Sequence, residues 1–319
     1  MTLATTNVVV INVTINNCLS FLSSSEASEV TLSKVTASNI SARPGSLGVL
    51  MDFDRISNAN LTLEDSSFTS IMLTPLRVVS LSNNVFTIRD NVFNGTLHPV
   101  QFTLLTDTIN YLRNKVQTTF FLDFYVSNIT AKPSITISDS YFYGKNGIYA
   151  TSPITMLNTV FLNGQDGILY FPTVSNYANL TIRNSSFTSF NQTPVFVLSP
   201  SIEQPVSMNV IDSRFTGVIS GVPTFSLRYT TASIINSVVQ GTFRCSDSKI
   251  DFQGTAYKPG ETSCEQCVFT GAASCETSNA GFIVGMTFMS IILVSLVVFS
   301  VVWIIRRAKR NRGEYQIVN

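Results

Sequence analysis

Between Ala178 and Ser189 the chain reads Ala-Asn-Leu-Thr-Ile-Arg-Asn-Ser-Ser-Phe-Thr-Ser, and the apolar residues Leu180 and Ile182 alternate with polar ones. That is the spacing of a β-strand with one buried face, and the spacing of a helix is absent. At Asn184 the alternation changes phase, so the inward positions become Ser185 and Phe187. A phase change of this kind predicts a corner. Asn and Asp are the non-glycine residues that best tolerate the left-handed backbone a corner needs.

The same phrase returns over 61–68, 86–93, 135–142, 154–161 and 208–215, with looser copies over 13–20 and 232–239. Its pivots are Asn17, Asp65, Asp90, Asp139, Asn158, Asn184, Asp212 and Asn236, separated by 48, 25, 49, 19, 26, 28 and 24 residues. The two long gaps are double the others, which predicts a degenerate copy near Lys34 and another near Asn114. A unit of about 25 residues cannot bury its apolar side alone and must stack on its neighbours, the signature of a solenoid. A second apolar strand precedes each phrase, as in 77–81, 167–171, 195–198 and 224–228. One coil is therefore strand, loop, strand, Asn or Asp corner, short strand, then Gly or Ser.

Written as apolar-x-apolar-x-Asn-Ser-x-Phe, this phrase resembles the parallel β-helix repeat, and residues 8–241 resemble the right-handed parallel β-helix of the pectin lyase-like superfold. The resemblance implies an all-β solenoid of about ten coils. Parallel crossovers are right-handed as a rule, and about 4.8 Å per coil gives a rod about 50 Å long. The superfold hosts polysaccharide lyases and hydrolases, but the Asn-x-Asp, Asp-Asp, His-Gly and Arg-x-Lys motifs of polygalacturonases do not occur as a set here. His98, the single histidine, has no partner visible in the sequence. Asp65 and Asp90, at equivalent corners of adjacent coils, form the best carboxylate pair; since Asn fills the same corner elsewhere, the position asks for geometry rather than ionisation. No catalytic residue, metal or cofactor is expected.

Thr62, Thr87, Thr136, Thr155 and Thr181 share one outward position and predict a column. The next outward position holds Glu64, Arg89, Ser138, Leu157 and Arg183, too uneven for a flat ice- or sugar-binding array, so the column reads as strand chemistry. Cys18 aligns with Ser185 and is expected as a buried thiol. Among the sequons, Asn39, Asn94, Asn128 and Asn191 fall in expected loops and are the glycosylation candidates.

Of the 319 residues, 45% are hydrophobic and only 12% charged, which suits stacked apolar coils and argues against disorder. Arg306, Arg307, Lys309, Arg310 and Arg312 against Glu314 make the C-terminus basic, leaving 15 basic and 18 acidic residues before it, with no nucleic-acid footprint. The 25 uncharged residues from Gly281 to Ile305 are long enough to span about 30 Å of hydrocarbon. The basic cluster that follows places the C-terminus in the cytoplasm and the solenoid outside. Gly281 and Gly285 form a weak helix-pairing motif. Tyr315-Gln-Ile-Val318 matches a Tyr-x-x-apolar endocytic signal, which would engage an adaptor and cycle the protein through endolysosomes. No cleavable signal peptide is visible before the first coil, so an N-terminal truncation is expected.

Cys245, Cys264, Cys267 and Cys275 lie together before the apolar segment. Cys-x-x-Cys can hold zinc or serve redox chemistry, but with no histidine beside it and an extracellular address two structural disulfides are expected. Ala256-Tyr-Lys-Pro-Gly260 and Ser263-Cys-Glu-Gln-Cys267 resemble ephrin-receptor-like Cys-rich modules. That resemblance implies Cys245 with Cys264 and Cys267 with Cys275. The expected organisation is a β-helix ectodomain over 1–244, a Cys-rich module over 245–279, a membrane helix over 280–305 and a tail over 306–319. It points to a plasma-membrane glycoprotein that binds glycans or proteins without catalysis. The alternatives are a tethered polysaccharide lyase or hydrolase with catalytic coils in a missing portion, and a passive coat.

Overall fold

The computed structural model describes residues 2–271 except 4–6, 19, 26, 41–47, 97, 105, 119–121, 127–132, 145–146, 165–166, 173–178, 204, 220 and 260–266. The described residues form strands joined by turns, stacked as a parallel solenoid with three faces. One coil runs through Ile168–Tyr170 on the first face, Asn179–Arg183 on the second and Ser186–Thr188 on the third. The next coil repeats this as Val195–Leu198, Val206–Ile211 and Arg214–Thr216. Pairing is parallel and in register, with Ile168 against Val195, Leu180 against Met208 and Phe187 against Phe215. The second face is a separate sheet of 12 strands. Val238–Ser246 runs from the third face of one coil into the first face of the next, joining those faces into a 21-stranded sheet.

The corner between second and third faces explains the repeated phrase. All eight Asn and Asp pivots have left-handed backbones, with φ from 48° at Asn184 to 59° at Asp90. Lys34 at φ 54° and Arg113 at φ 53° occupy the same corner in the two long gaps, so the hidden coils are there with a basic residue at the pivot. Gly254 at φ 58° turns one further corner, between Ser248–Gln253 and Ala256–Pro259, which the sequence reading passed over because Gly replaces Asn and Tyr257 replaces Phe.

At most of these corners the residue after the pivot points inward and joins a polar ladder. The Thr159 amide donates to Ser185 Oγ at 3.1 Å, the Ser185 amide to Ser213 Oγ at 3.1 Å and the Ser213 amide to Ser237 Oγ at 3.0 Å. Where the residue is Asn, its amide group also reaches the coil below: Asn114 Oδ1 accepts from the Asn91 amide at 3.0 Å, while Asn114 Nδ2 donates to the Ile88 carbonyl at 2.8 Å. The corner tilts these N–H groups out of the sheet ladder, so a side-chain oxygen from the next coil must satisfy them. Two residues further on, the apolar ladder begins. Phe187 lies 4.6 Å from Phe161 and 4.6 Å from Phe215, at interplanar angles of 7° and 10°. Stacking at this distance follows from the coil rise, which places identical side chains directly above one another.

Near residue 244 the stacking continues. The expected boundary between solenoid and Cys-rich module falls inside Val238–Ser246, and Ser248–Gln253, Ala256–Pro259 and Cys267–Gly271 all pair with preceding coils. Cys245 and Cys267 form the disulfide, with Cα atoms 5.2 Å apart. This corrects the pairing implied by the Cys-rich resemblance: both residues sit in solenoid strands, and the stacking brings them together. Cys264 and Cys275 lie outside the described residues, as do the segment 280–305 and the tail 306–319. Among the described residues no helix is long and apolar enough to cross a membrane.

Candidate functional site

The outward side of the first face carries aromatic and hydrogen-bonding side chains together. Two of its strands alternate strictly: Val100, Phe102 and Leu104 point inward, and so do Leu122 and Phe124. Gln101, Thr103, Asp123 and Tyr125 therefore face out. Register then aligns Asp52, Arg77, Gln101, Asp123 and Tyr149 in one outward column. The column continues through Leu169, Phe196 and Ser226 to Arg244.

Within this column Arg77 donates twice to Asp52, from Nε at 2.9 Å and from an Nη at 2.6 Å. Asp123 Oδ2 lies 3.2 Å from His98 Nδ1, the two side chains being 18% and 20% exposed. The histidine that had no partner in the sequence thus has a carboxylate beside it, brought from the next coil. A hollow of about 320 Å³ opens here, lined by Gln101, Phe102, Thr103, Asp123, Tyr125 and Tyr149. The Tyr149 hydroxyl is held above its ordinary range by burial first, then by the charge of Asp123 and by Tyr125. Beyond it an aromatic run extends along the axis, Tyr149 to Phe171 at 5.6 Å and Phe171 to Phe196 at 5.4 Å. A second hollow of about 340 Å³ follows, bordered by Phe196, Gln192, Pro223 and Arg244 among others.

The other candidates fall elsewhere. Asp65 and Asp90 sit at successive corners, and Arg113 donates to both Asp90 oxygens at 2.7 Å. The Asp90 carboxyl is consequently held below its ordinary value, chiefly by that hydrogen bond. A general acid needs the opposite shift. Asp139, Asn158 and Asn184 form a side-chain ladder at the same corner, Asn158 Nδ2 to Asp139 Oδ1 at 3.0 Å and Asn184 Nδ2 to Asn158 Oδ1 at 2.7 Å. The threonine column lies on the second face in register, with Asn110 inserted between Thr87 and Thr136. Its neighbour Glu64 is bound by Arg89.

Asn39 and Asn94 are exposed but lie within strands, Thr36–Ile40 and Val92–Thr96, rather than in loops. Asn191 is exposed between strands, and Asn128 lies outside the described residues, as do Tyr315 and Val318. Cys18 is half-buried against the core and donates to the Ser20 carbonyl at 3.0 Å. Among the described residues no group of three or more His, Cys, Asp or Glu side chains could hold a metal ion.

No protein-family model matches the chain, and neither the curated proteins nor the solved structures contain a match.

Proposed function

We propose that the chain is a non-catalytic surface binder. Its solenoid is a right-handed β-helix of the pectin lyase-like kind, held outside the cell by a single membrane helix over 280–305, with the tail over 306–319 in the cytoplasm. The observation that carries the reading is the outward strip of the first face, where Gln101, Asp123 and Tyr149 stand one coil apart and Phe196 two coils beyond Tyr149 on a rigid scaffold. Aromatic faces beside hydrogen-bonding groups, repeated at the coil rise of about 4.8 Å, suit an extended glycan or a protein surface laid along the rod. The exposure of Asn39, Asn94 and Asn191 is compatible with glycan attachment on an extracellular domain. The Arg113 clamp on Asp90 supports a structural role for the carboxylate corner.

The test has two arms. Protease added to intact cells should remove the solenoid while leaving the tail epitope, and the protein displayed on beads should bind arrayed glycans or cell-surface proteins through the first face. Protection of the solenoid would contradict the topology. Release of reducing sugars from polyuronides would favour the enzymatic alternative, and silence on every array would favour a passive coat.

A further inference from the structure

We infer that the first-face hollow at Asp123 is a receptor site for an organic cation, an alkylammonium group such as a lysine side chain or a quaternary ammonium headgroup. The inference rests on the reading of the first face as a binding surface and names the ligand chemistry of one part of it.

Charge and geometry both point to a cation. Asp123 is the carboxylate lining the hollow, and the alternation of its strand aims it outward between the buried Leu122 and Phe124. Tyr125 stands two residues along on the same face and is 48% exposed. Tyr149 stands in register with Asp123 on the next coil, about 4.8 Å along the axis. A carboxylate with two tyrosines beside it attracts ammonium groups, because the negative potential of aromatic ring faces adds to the formal charge. The upward displacement of the Tyr149 hydroxyl by burial and by Asp123 reports the same electronegative surroundings.

Among the described residues, the arginine of this column below Asp123 is engaged elsewhere. Arg77 lies in the same column two coils below Asp123, about 10 Å away, and both of its hydrogen bonds go to Asp52. His98 Nδ1 lies 3.2 Å from Asp123 Oδ2 and adds a positive charge to the pair only when it is protonated. An anion would be repelled by Asp123, and a purely apolar group would strip that carboxylate of further solvent without offering it a partner. The volume of about 320 Å³ accommodates a trimethylammonium group or the end of a lysine side chain.

The test uses the full chain in a polyoxyethylene detergent, which carries neither ammonium nor sugar, at pH 8 and constant ionic strength. Saturation-transfer NMR and calorimetry would measure tetramethylammonium, Nα-acetyl-lysine N-methylamide, methyl glucoside and glucuronate. Both ammonium probes should bind about tenfold or more tightly than the glucoside, with glucuronate weakest. Asp123→Asn should weaken the ammonium probes about tenfold, and Tyr149→Leu, which installs the side chain carried by Leu169 at the same column position, should do likewise. Arg113→Gln, on a different corner, should leave binding unchanged. Unaltered circular dichroism would show that each variant folds. Binding of tetramethylammonium alone would assign the site to a quaternary headgroup.

Absence of saturable binding by both ammonium probes, or binding insensitive to Asp123→Asn, would overturn the inference. Methyl glucoside binding here as tightly as the ammonium probes would overturn it too, while leaving the surface-binder reading standing. That reading fails separately, if the displayed protein captures nothing on any array.

Discussion

Replacing Asn114 tests whether the inward polar ladder is a requirement of the fold. Its Oδ1 accepts from both the Asn91 amide and Asn91 Nδ2, each at 3.0 Å, and its Nδ2 donates to the Ile88 carbonyl at 2.8 Å. All of these groups are buried. Asn114→Val removes three hydrogen bonds and supplies no substitute. At about 1–3 kcal/mol for each buried group left without its partner, and with some relaxation of Asn91, the loss should be about 3–6 kcal/mol. Asn114→Ser behaves differently. Ser185 and Ser213 at equivalent rungs each accept one amide, so a serine should retain the bond to the Asn91 backbone and lose only about 1–2 kcal/mol. The assay is urea unfolding of the compact unit Met1–Ser274, followed by circular dichroism, with m-values compared to confirm that one transition is being measured. A valine variant within about 0.5 kcal/mol of the parent, or a serine variant as unstable as valine, would refute the ladder argument.

Phe187→Ala should cost about 3–5 kcal/mol in the same assay, because the ring is buried between two parallel neighbours and its removal leaves a gap within the stack. Non-reducing peptide mapping should recover Cys245 joined to Cys267, and reduction of this 22-residue loop should lower stability by about 3 kcal/mol. The Asp90 carboxyl titrates below its ordinary value of 3.8, so the Arg113 interaction contributes stability above that value and loses it as pH falls through the folded value. Arg113→Gln should move the Asp90 midpoint upward in an NMR titration and remove that acid-side dependence.

The stacking was legible in the sequence because geometry restricts the pivot to few residue types. Left-handed corners select Asn and Asp, the next rung selects Ser, Thr or Asn, and the stack selects Phe, so each coil writes its own signature. Lys34 and Arg113 broke that signature without breaking the fold, and spacing alone located them. Gly254 turns the same corner more freely than Asn, yet a lone glycine has too many other uses to announce a coil. The candidate site was far less legible. First-face strands such as Ile148–Ala150 are short and carry no fixed chemistry, and loops of varying length separate them. The approach of His98 to Asp123, 25 residues apart, requires knowing the coil register. The cysteine pairing eluded the motif reading for a related reason: Cys245 and Cys267 are joined by the stacking of strands that were assigned to a separate module.

Electron spin distances along the second face test the in-register stack most directly. Thr31 and Thr181 stand six coil steps apart in one outward column, and Thr31 and Asp251 stand nine. Nitroxide pairs at these positions should report about 29 Å and about 43 Å, in the ratio of the step counts. A Thr31–Asp251 distance no longer than the Thr31–Thr181 distance, or a ratio unrelated to the number of coils between the labels, would contradict the solenoid on which every other conclusion rests.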